Sequence, residues 1–209
     1  MNKIITIGRE FGSGGRELGK RLAEDLGIAY YDSEIISAIA KRSDLAESYV
    51  NQVVEKRIVA YYPITVASTM VAMPGDTLYS VNRSIYAAQT DILREMAEKS
   101  DCVIVGRCAD HILADHHPLR IFVYSSMESK LARCRAKGGE DEDLSDKELT
   151  KKIRAVDKSR AQYYRFYTGQ DWGDRQNYDL CVNTTGIEPK TLAALITELV
   201  KAIPDEEKK

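Results

Sequence analysis

The stretch "ITIGREFGSGGRELGKRLAEDLG", residues 5–27, constrains the fold more than any other part of the chain. Ile4 to Ile7 is a short β-branched run of the kind a buried strand uses. From Arg16 to Leu26 the pattern is helical: Leu18, Leu22 and Leu26 recur every fourth residue with charges between them, and Gly27 is a natural stop. Gly12, Gly14 and Gly15 lie between the two elements. A strand that runs through glycines into a helix aims backbone N–H groups and the positive end of the helix dipole at one point. That arrangement suits a phosphate.

The rest of the chain alternates in the same way. Ile28 to Tyr31, Cys102 to Val105, Arg120 to Tyr124 and Asp179 to Asn183 read as short strands. Helical patterns cover Ser33 to Val59, Asn82 to Lys99 and Lys190 to Ile203. Ser125-x-x-Glu128 reads as a capping box for a helix to about Lys137, and Ser145-x-x-Glu148 as one for a helix to about Phe166. Tyr61 to Leu78, apolar and broken by Pro63, Pro74 and Gly75, fits either a hairpin or a helix pair. "GGEDEDLSD" reads as an exposed loop and "PDEEKK" as a tail. The alternation predicts an α/β fold with a mainly parallel sheet, in which ligands sit at the carboxyl ends of the strands. Gly12, Asp32, Arg107 and Ser125 all follow predicted strands, so they belong on one edge.

Two ligand patterns compete for the glycine loop. The phosphate-loop pattern G-x-x-x-x-G-K-[ST] is not met, because Gly15 stands at the lysine position and Arg16 at the hydroxyl position. Gly12-x-Gly14 also opens the dinucleotide fingerprint, with Asp32 about twenty residues on, yet its third glycine falls on Glu17. A tight turn with no ligand is the third reading. The downstream residues favour phosphate chemistry. Arg107 closes a strand in "VIVGRCAD", and Arg154, Asp157 and Arg160 stand three residues apart in "KKIRAVDKSRAQYYRFY". An acid between two guanidiniums can orient both onto phosphate oxygens, although the same spacing also makes an ordinary solvated salt-bridge face.

With these motifs together the sequence resembles the cytidylate-kinase-like family of P-loop nucleoside monophosphate kinases. The opening segment is similar to that family's first strand, phosphate loop and second strand. "VIVGRCAD" is similar to its Gly-Arg strand end, "LRIFVYSSMESKLARCRAK" to its approach to the lid, "IRAVDKSRAQYY" to its lid helix, and "YDLCVNTTGI" to its last strand. The chain departs from cytidylate kinases at Gly15, at Arg16 and at Cys108, where they carry an Asp after the Gly-Arg pair.

The resemblance implies one P-loop kinase-type domain over residues 1–209, a three-layer α/β/α with a mainly parallel sheet. It would carry a helical substrate-side insertion at 34–100 and a lid at 138–178. The activity implied is ATP- and Mg²⁺-dependent phosphoryl transfer to a nucleoside monophosphate such as CMP. Arg9, Gly12, Ser13, Gly14, Gly15, Arg16 and Glu17 would face the donor, and Asp32 and Arg107 the acceptor. Arg16, Arg154, Asp157 and Arg160 would form the catalytic set, with Arg16 or the lid arginines supplying the missing lysine's charge. A nucleotide-binding regulatory protein without catalysis is the alternative, and a dinucleotide-binding oxidoreductase a more distant one.

Composition narrows the partners. The 209 residues carry a net charge of −2, with 44% hydrophobic and 30% charged residues. That balance lacks the basic excess of a general nucleic-acid binder and leaves small nucleotides as the expected partners. The start "MNKIITIG" lacks a signal-peptide apolar region, and no apolar run has membrane-spanning length, so a cytoplasmic, membrane-free protein is expected. Cys102, Cys108, Cys134 and Cys181 form no CxxC pair and read as plain thiols, so no metal site is expected. His111, His116 and His117 read as surface residues, and Tyr163, Tyr164 and Tyr167 as packing or base-stacking groups. Trp172 fits a loop anchor or a nucleotide lid. The apolar run Ile58 to Met73 fits a subunit contact or internal packing.

Overall fold

The computed structural model describes residues 2–44, 46, 47, 50, 75–138 and 144–203. The readings for 51–74, for the loop at 139–143 and for the tail at 204–209 lie outside the described residues. In chain order the elements are β1 (Ile4–Arg9), α1 (Gly15–Leu26), β2 (Ala29–Tyr31), α2 (Glu34–Ser43) and α3 (Gly75–Lys99). They continue with β3 (Cys102–Val105), α4 (Ala109–Ile112), β4 (Leu119–Tyr124), α5 (Met127–Lys137), α6 (Asp146–Thr168), β5 (Leu180–Asn183) and α7 (Pro189–Ala202).

The five strands form one parallel sheet in the order β2-β3-β1-β4-β5. Strand alternation divides its side chains between two apolar layers. Ile4, Cys102 and Ile104 point into a layer with Ile35 and Ile39 of α2, Ile85 and Leu93 of α3, and Tyr163 and Tyr164 of α6. Ile5, Ile7, Val103 and Val105 point the other way, onto Leu18 and Leu22 of α1 and Ile196 and Val200 of α7. Helices thus cover both faces, giving three layers. The core strands read as unbroken β-branched runs because neither face meets water.

Helix ends follow their local chemistry. Gly27 ends α1 with φ 67°. Ser145 and Glu148 exchange side chain-to-backbone bonds at the start of α6, the capping box that the sequence predicts. The start of α5 departs from the expectation: Ser126, not Ser125, is the cap and accepts the Ser129 N–H. The reason is the sheet. Ser125 continues the line of β4, donates its N–H to Glu10, and its hydroxyl accepts from Arg133. Helix α3 begins at Gly75, earlier than the predicted Asn82. The short α4 gave no periodicity from which to predict it.

Candidate active site

All five strands run the same way, so their carboxyl ends share one edge. The glycine loop follows β1, Asp32 follows β2, Gly106-Arg107 follows β3, Ser125 follows β4 and Thr184 follows β5. This is the common edge that the strand pattern predicts.

The loop is held from behind. Thr184 Oγ1 donates to the Ser13 carbonyl at 2.7 Å, and Arg133 Nη1 reaches the carbonyls of Gly12 and Ser13 at 3.5 and 3.4 Å. In a trans peptide C=O and N–H point opposite ways, so the Gly14 N–H is turned away from this backing. Gly12 and Gly14 have φ of 74° and 82°, a left-handed conformation that costs other residues about 1–2 kcal/mol. The Ser13 side chain stays inside the loop, donating to the Glu10 carbonyl at 2.8 Å. The amide face and the start of α1 together make a cradle that fits a phosphate.

Helix α6 moors the loop from the other side. Asp157 Oδ1 accepts the Phe11 N–H at 2.7 Å, and Oδ2 lies 3.1 Å from Lys130 Nζ. Lys130 is 4% exposed and also pairs with Glu10 Oε2 at 2.7 Å. Burial pushes the Asp157 carboxyl above its ordinary value, while the Phe11 N–H and Lys130 pull it back. Arg160 Nη1 donates to the Arg9 carbonyl at 3.2 Å, and its guanidinium lies 5.9 Å from the centre of the Phe11 ring.

The geometry gives the three members of the expected Arg154–Asp157–Arg160 array different surroundings. Asp157 holds the loop through the Phe11 N–H and pairs with Lys130. Three residues fall about 60° short of a full helical turn, so residues 154 and 160 diverge by roughly 120° around the axis. Arg154 is exposed, whereas Arg160 reaches the loop.

Beside the loop lies a pocket lined by Arg9, Arg107 and Arg160, with Gly8, Gly106, Cys108, Asp110, Tyr163, Tyr164, Trp172 and Tyr178. Arg107 has φ 62°, unusual for a side-chain-bearing residue. Buried Gln89 holds it there, donating Nε2 to the Arg107 carbonyl at 2.9 Å and accepting from the Tyr163 hydroxyl at 3.3 Å. Asp110 accepts the Tyr164 hydroxyl at 2.7 Å. Burial raises the Asp110 carboxyl, and that hydroxyl opposes the rise. Burial also pushes the Cys108 thiol well up, which disfavours the reactive thiolate. Trp172 packs edge-on against Phe122 at 5.2 Å, and Tyr167 stacks on Tyr86 at 3.9 Å.

Asp32 is 3% exposed and sits between two arginines. Arg16 Nε is 2.5 Å from Oδ2, and Arg9 Nη2 is 3.7 Å from Oδ1. Glu17 pairs with Arg21 on the outer face of α1. Cys102, Cys108 and Cys134 are buried, Cys181 is exposed, and all four are free thiols. Among the described residues no group of three or more His, Cys, Asp or Glu is placed to hold a metal ion. Among the same residues no helix is long and apolar enough to cross a membrane.

The sequence reading did not single out Lys130, Arg133, Gln89, Asp110 or Thr184. Lys130 and Arg133 lie in "ESKLARCRAK", where each cation has the look of a solvated helix face. Only the register of α5 against the loop shows that they point inward.

The sheet order, the loop between β1 and α1, and the arginine-lined edge define a P-loop kinase fold. The dinucleotide fold would instead set the first two strands side by side. The solved shikimate kinase of Bacteroides thetaiotaomicron shares this fold, with a TM-score of 0.56 and 17% identity over 96% of this chain and 99% of that one. The chain belongs to the cytidylate kinase-like family, whose model matches residues 4–186. It is 25% identical to a cytidylate kinase of Natronomonas pharaonis over 98% of this chain and 93% of that protein. An uncharacterized protein of Eubacterium ventriosum, solved as a crystal structure, matches with a TM-score of 0.69 and 27% identity, covering 96% and 99% of the two chains. Family and fold together support nucleotide kinase activity.

Proposed function

We propose that this chain transfers the γ-phosphoryl group of ATP to a nucleoside monophosphate, with CMP the first acceptor to try. The observation that carries this reading is the convergence of Arg9, Arg107 and Arg160 on one pocket beside the glycine loop. Phosphoryl transfer spreads charge over the moving group, so a kinase needs positioning and fixed cations more than covalent chemistry. The loop between Gly12 and Glu17 would cradle the donor phosphates. Arg107 would take the acceptor phosphate, and Arg160, on the proposed lid at 138–178, would draw the two sides together. Residues 34–100 would form the acceptor side.

Mg²⁺ would offset the charge of the donor phosphates. Arg16 stands where a phosphate loop has its metal-binding hydroxyl, so the fit is to an ion held mainly by phosphates and water. Asp32, whose Oδ1 has no hydrogen-bond partner, is the carboxylate nearest that role.

The test is a panel of nucleoside monophosphates with ATP and Mg²⁺, read by formation of diphosphate product. Turnover on the order of 1–100 s⁻¹ with one acceptor supports the proposal. ATP binding without transfer to any acceptor supports the second reading, a nucleotide-binding regulator, which the pairing of Arg16 with Asp32 favours.

A further inference from the structure

We propose that Arg9 and Gly15 have exchanged the roles that glycine and lysine play in an ordinary phosphate loop, so that Arg9 is the cation that meets the transferred phosphoryl group. The inference rests on the kinase reading above and deepens it. When the pattern G-x-x-x-x-G-K is laid on the chain with Gly14 as its second glycine, the lysine position is Gly15 and the first glycine position is Arg9. Both ends depart from the pattern, in opposite senses.

Packing shows why the two departures belong together. A Cβ on Gly15 would lie 2.5 Å from Arg9 Cβ and 3.2 Å from Arg9 Cγ. A lysine at 15 would have to start in space that the Arg9 stem fills. The Arg9 head has its own clearance at the end of β3, where a Cβ on Gly106 would lie 1.7 Å from Nη1. So the stem begins at the phosphate loop, and the head ends against the backbone of Gly106, with Asp32 Oδ1 at 3.7 Å. It lies in the same pocket wall as Arg107 and Arg160.

That route crosses from the donor cradle to the acceptor pocket, the path a phosphoryl group takes. The Arg9 side chain is 9% exposed. Arg9, Arg107 and Arg160 line this one pocket, so a phosphoryl group entering it would meet guanidiniums from the ends of β1 and β3 and from α6. A guanidinium offers two parallel donors where an ammonium acts as a point charge, so Arg9 can bind two oxygens from a different starting point.

Four variants test this: Arg9→Met, Arg9→Gly, Gly15→Lys and the double change Arg9→Gly/Gly15→Lys. Each is read by ATP titration calorimetry, transfer rate and melting temperature. Arg9→Met keeps the stem, and Asp32 keeps its closer partner Arg16 at 2.5 Å, so the buried carboxylate is not left without a counter-charge. Its transfer rate should fall roughly 100-fold and its ATP affinity should weaken, with the melting temperature held. Gly15→Lys alone should lose both melting temperature and activity to the clash. The double variant restores the ordinary pattern and should exceed either of its parents at least about tenfold in transfer. Transfer and ATP affinity within about threefold of the unaltered protein in Arg9→Met would overturn the inference. So would a double variant no more active than Arg9→Gly. If the unaltered protein transfers to no acceptor, the kinase reading alone fails. Arg9 is then judged on ATP affinity: a drop in Arg9→Met that the double variant recovers upholds the exchange, and an unchanged affinity overturns it.

Discussion

Lys130→Met is the most exacting perturbation of the loop's support. The side chain is 6% exposed, and its Nζ lies 2.7 Å from Glu10 Oε2 and 3.1 Å from Asp157 Oδ2. Methionine keeps most of the volume and removes the cation between Glu10 and Asp157, leaving two carboxylates facing each other. Breaking a buried ion pair from one side costs about 3–5 kcal/mol. Glu10 is 26% exposed, so water screens part of its penalty, and about 3 kcal/mol is the working figure. For a chain of this size that corresponds to a melting-temperature loss of roughly 6–12 °C. The pH dependence is a second readout. Asp157 already sits above its ordinary value in the fold because it is buried, and losing Lys130 raises it further. A raised carboxyl contributes stability that is fully present below its unfolded pKa and is lost as pH rises through the folded one. The deficit of the variant should therefore be largest near about pH 7.5 and shrink toward about pH 5. Thermal melts of both proteins at the two pH values provide the assay. A neutral-pH deficit under about 1 kcal/mol, the size of an exposed pair, would refute the reasoning, as would a deficit equal at both pH values.

Gln89→Leu should cost about 1–3 kcal/mol in a denaturant melt, because the Arg107 carbonyl and Tyr163 hydroxyl lose their shared partner. In steady-state kinetics it should raise the acceptor KM more than it lowers kcat. Asp110→Asn keeps an acceptor for the Tyr164 hydroxyl and removes a carboxylate whose pKa burial raises, so melts should show it neutral or stabilising above neutrality and destabilising only toward acid pH. Arg160→Ala should reduce transfer far more than Arg154→Ala, since Arg160 reaches the loop and Arg154 is exposed; equal losses in a rate assay would restore the two-arginine clamp.

The alternating apolar runs made the sheet legible, because buried parallel strands need apolar side chains on both faces, as Val103 and Ile104 show on opposite sides of β3. The glycine loop was legible because its backbone conformation demands particular residues. Inward-pointing cations were not. Lys130 and Arg133 have the composition of a wet helix, and a one-dimensional pattern carries no record of which face meets a loop more than a hundred residues away. Gln89 was hidden in the same way, as an ordinary polar residue in a helical stretch until its bond to Arg107 is seen. The Ser125 cap failed by one residue because two adjacent serines offer the same chemistry and only the end of β4 decides between them.

The bonds that back the glycine loop also place it in time. The groups that hold its carbonyls come from Arg133, 121 residues after Gly12, and from Thr184, 171 residues after Ser13. During synthesis the loop is made well before the groups that clasp it. Until the segment after β5 is in place, the Ser13 carbonyl lacks its Thr184 partner. Contacts of such long sequence separation close late and slowly. The backing of the loop is therefore completed only when β5 docks beside β4.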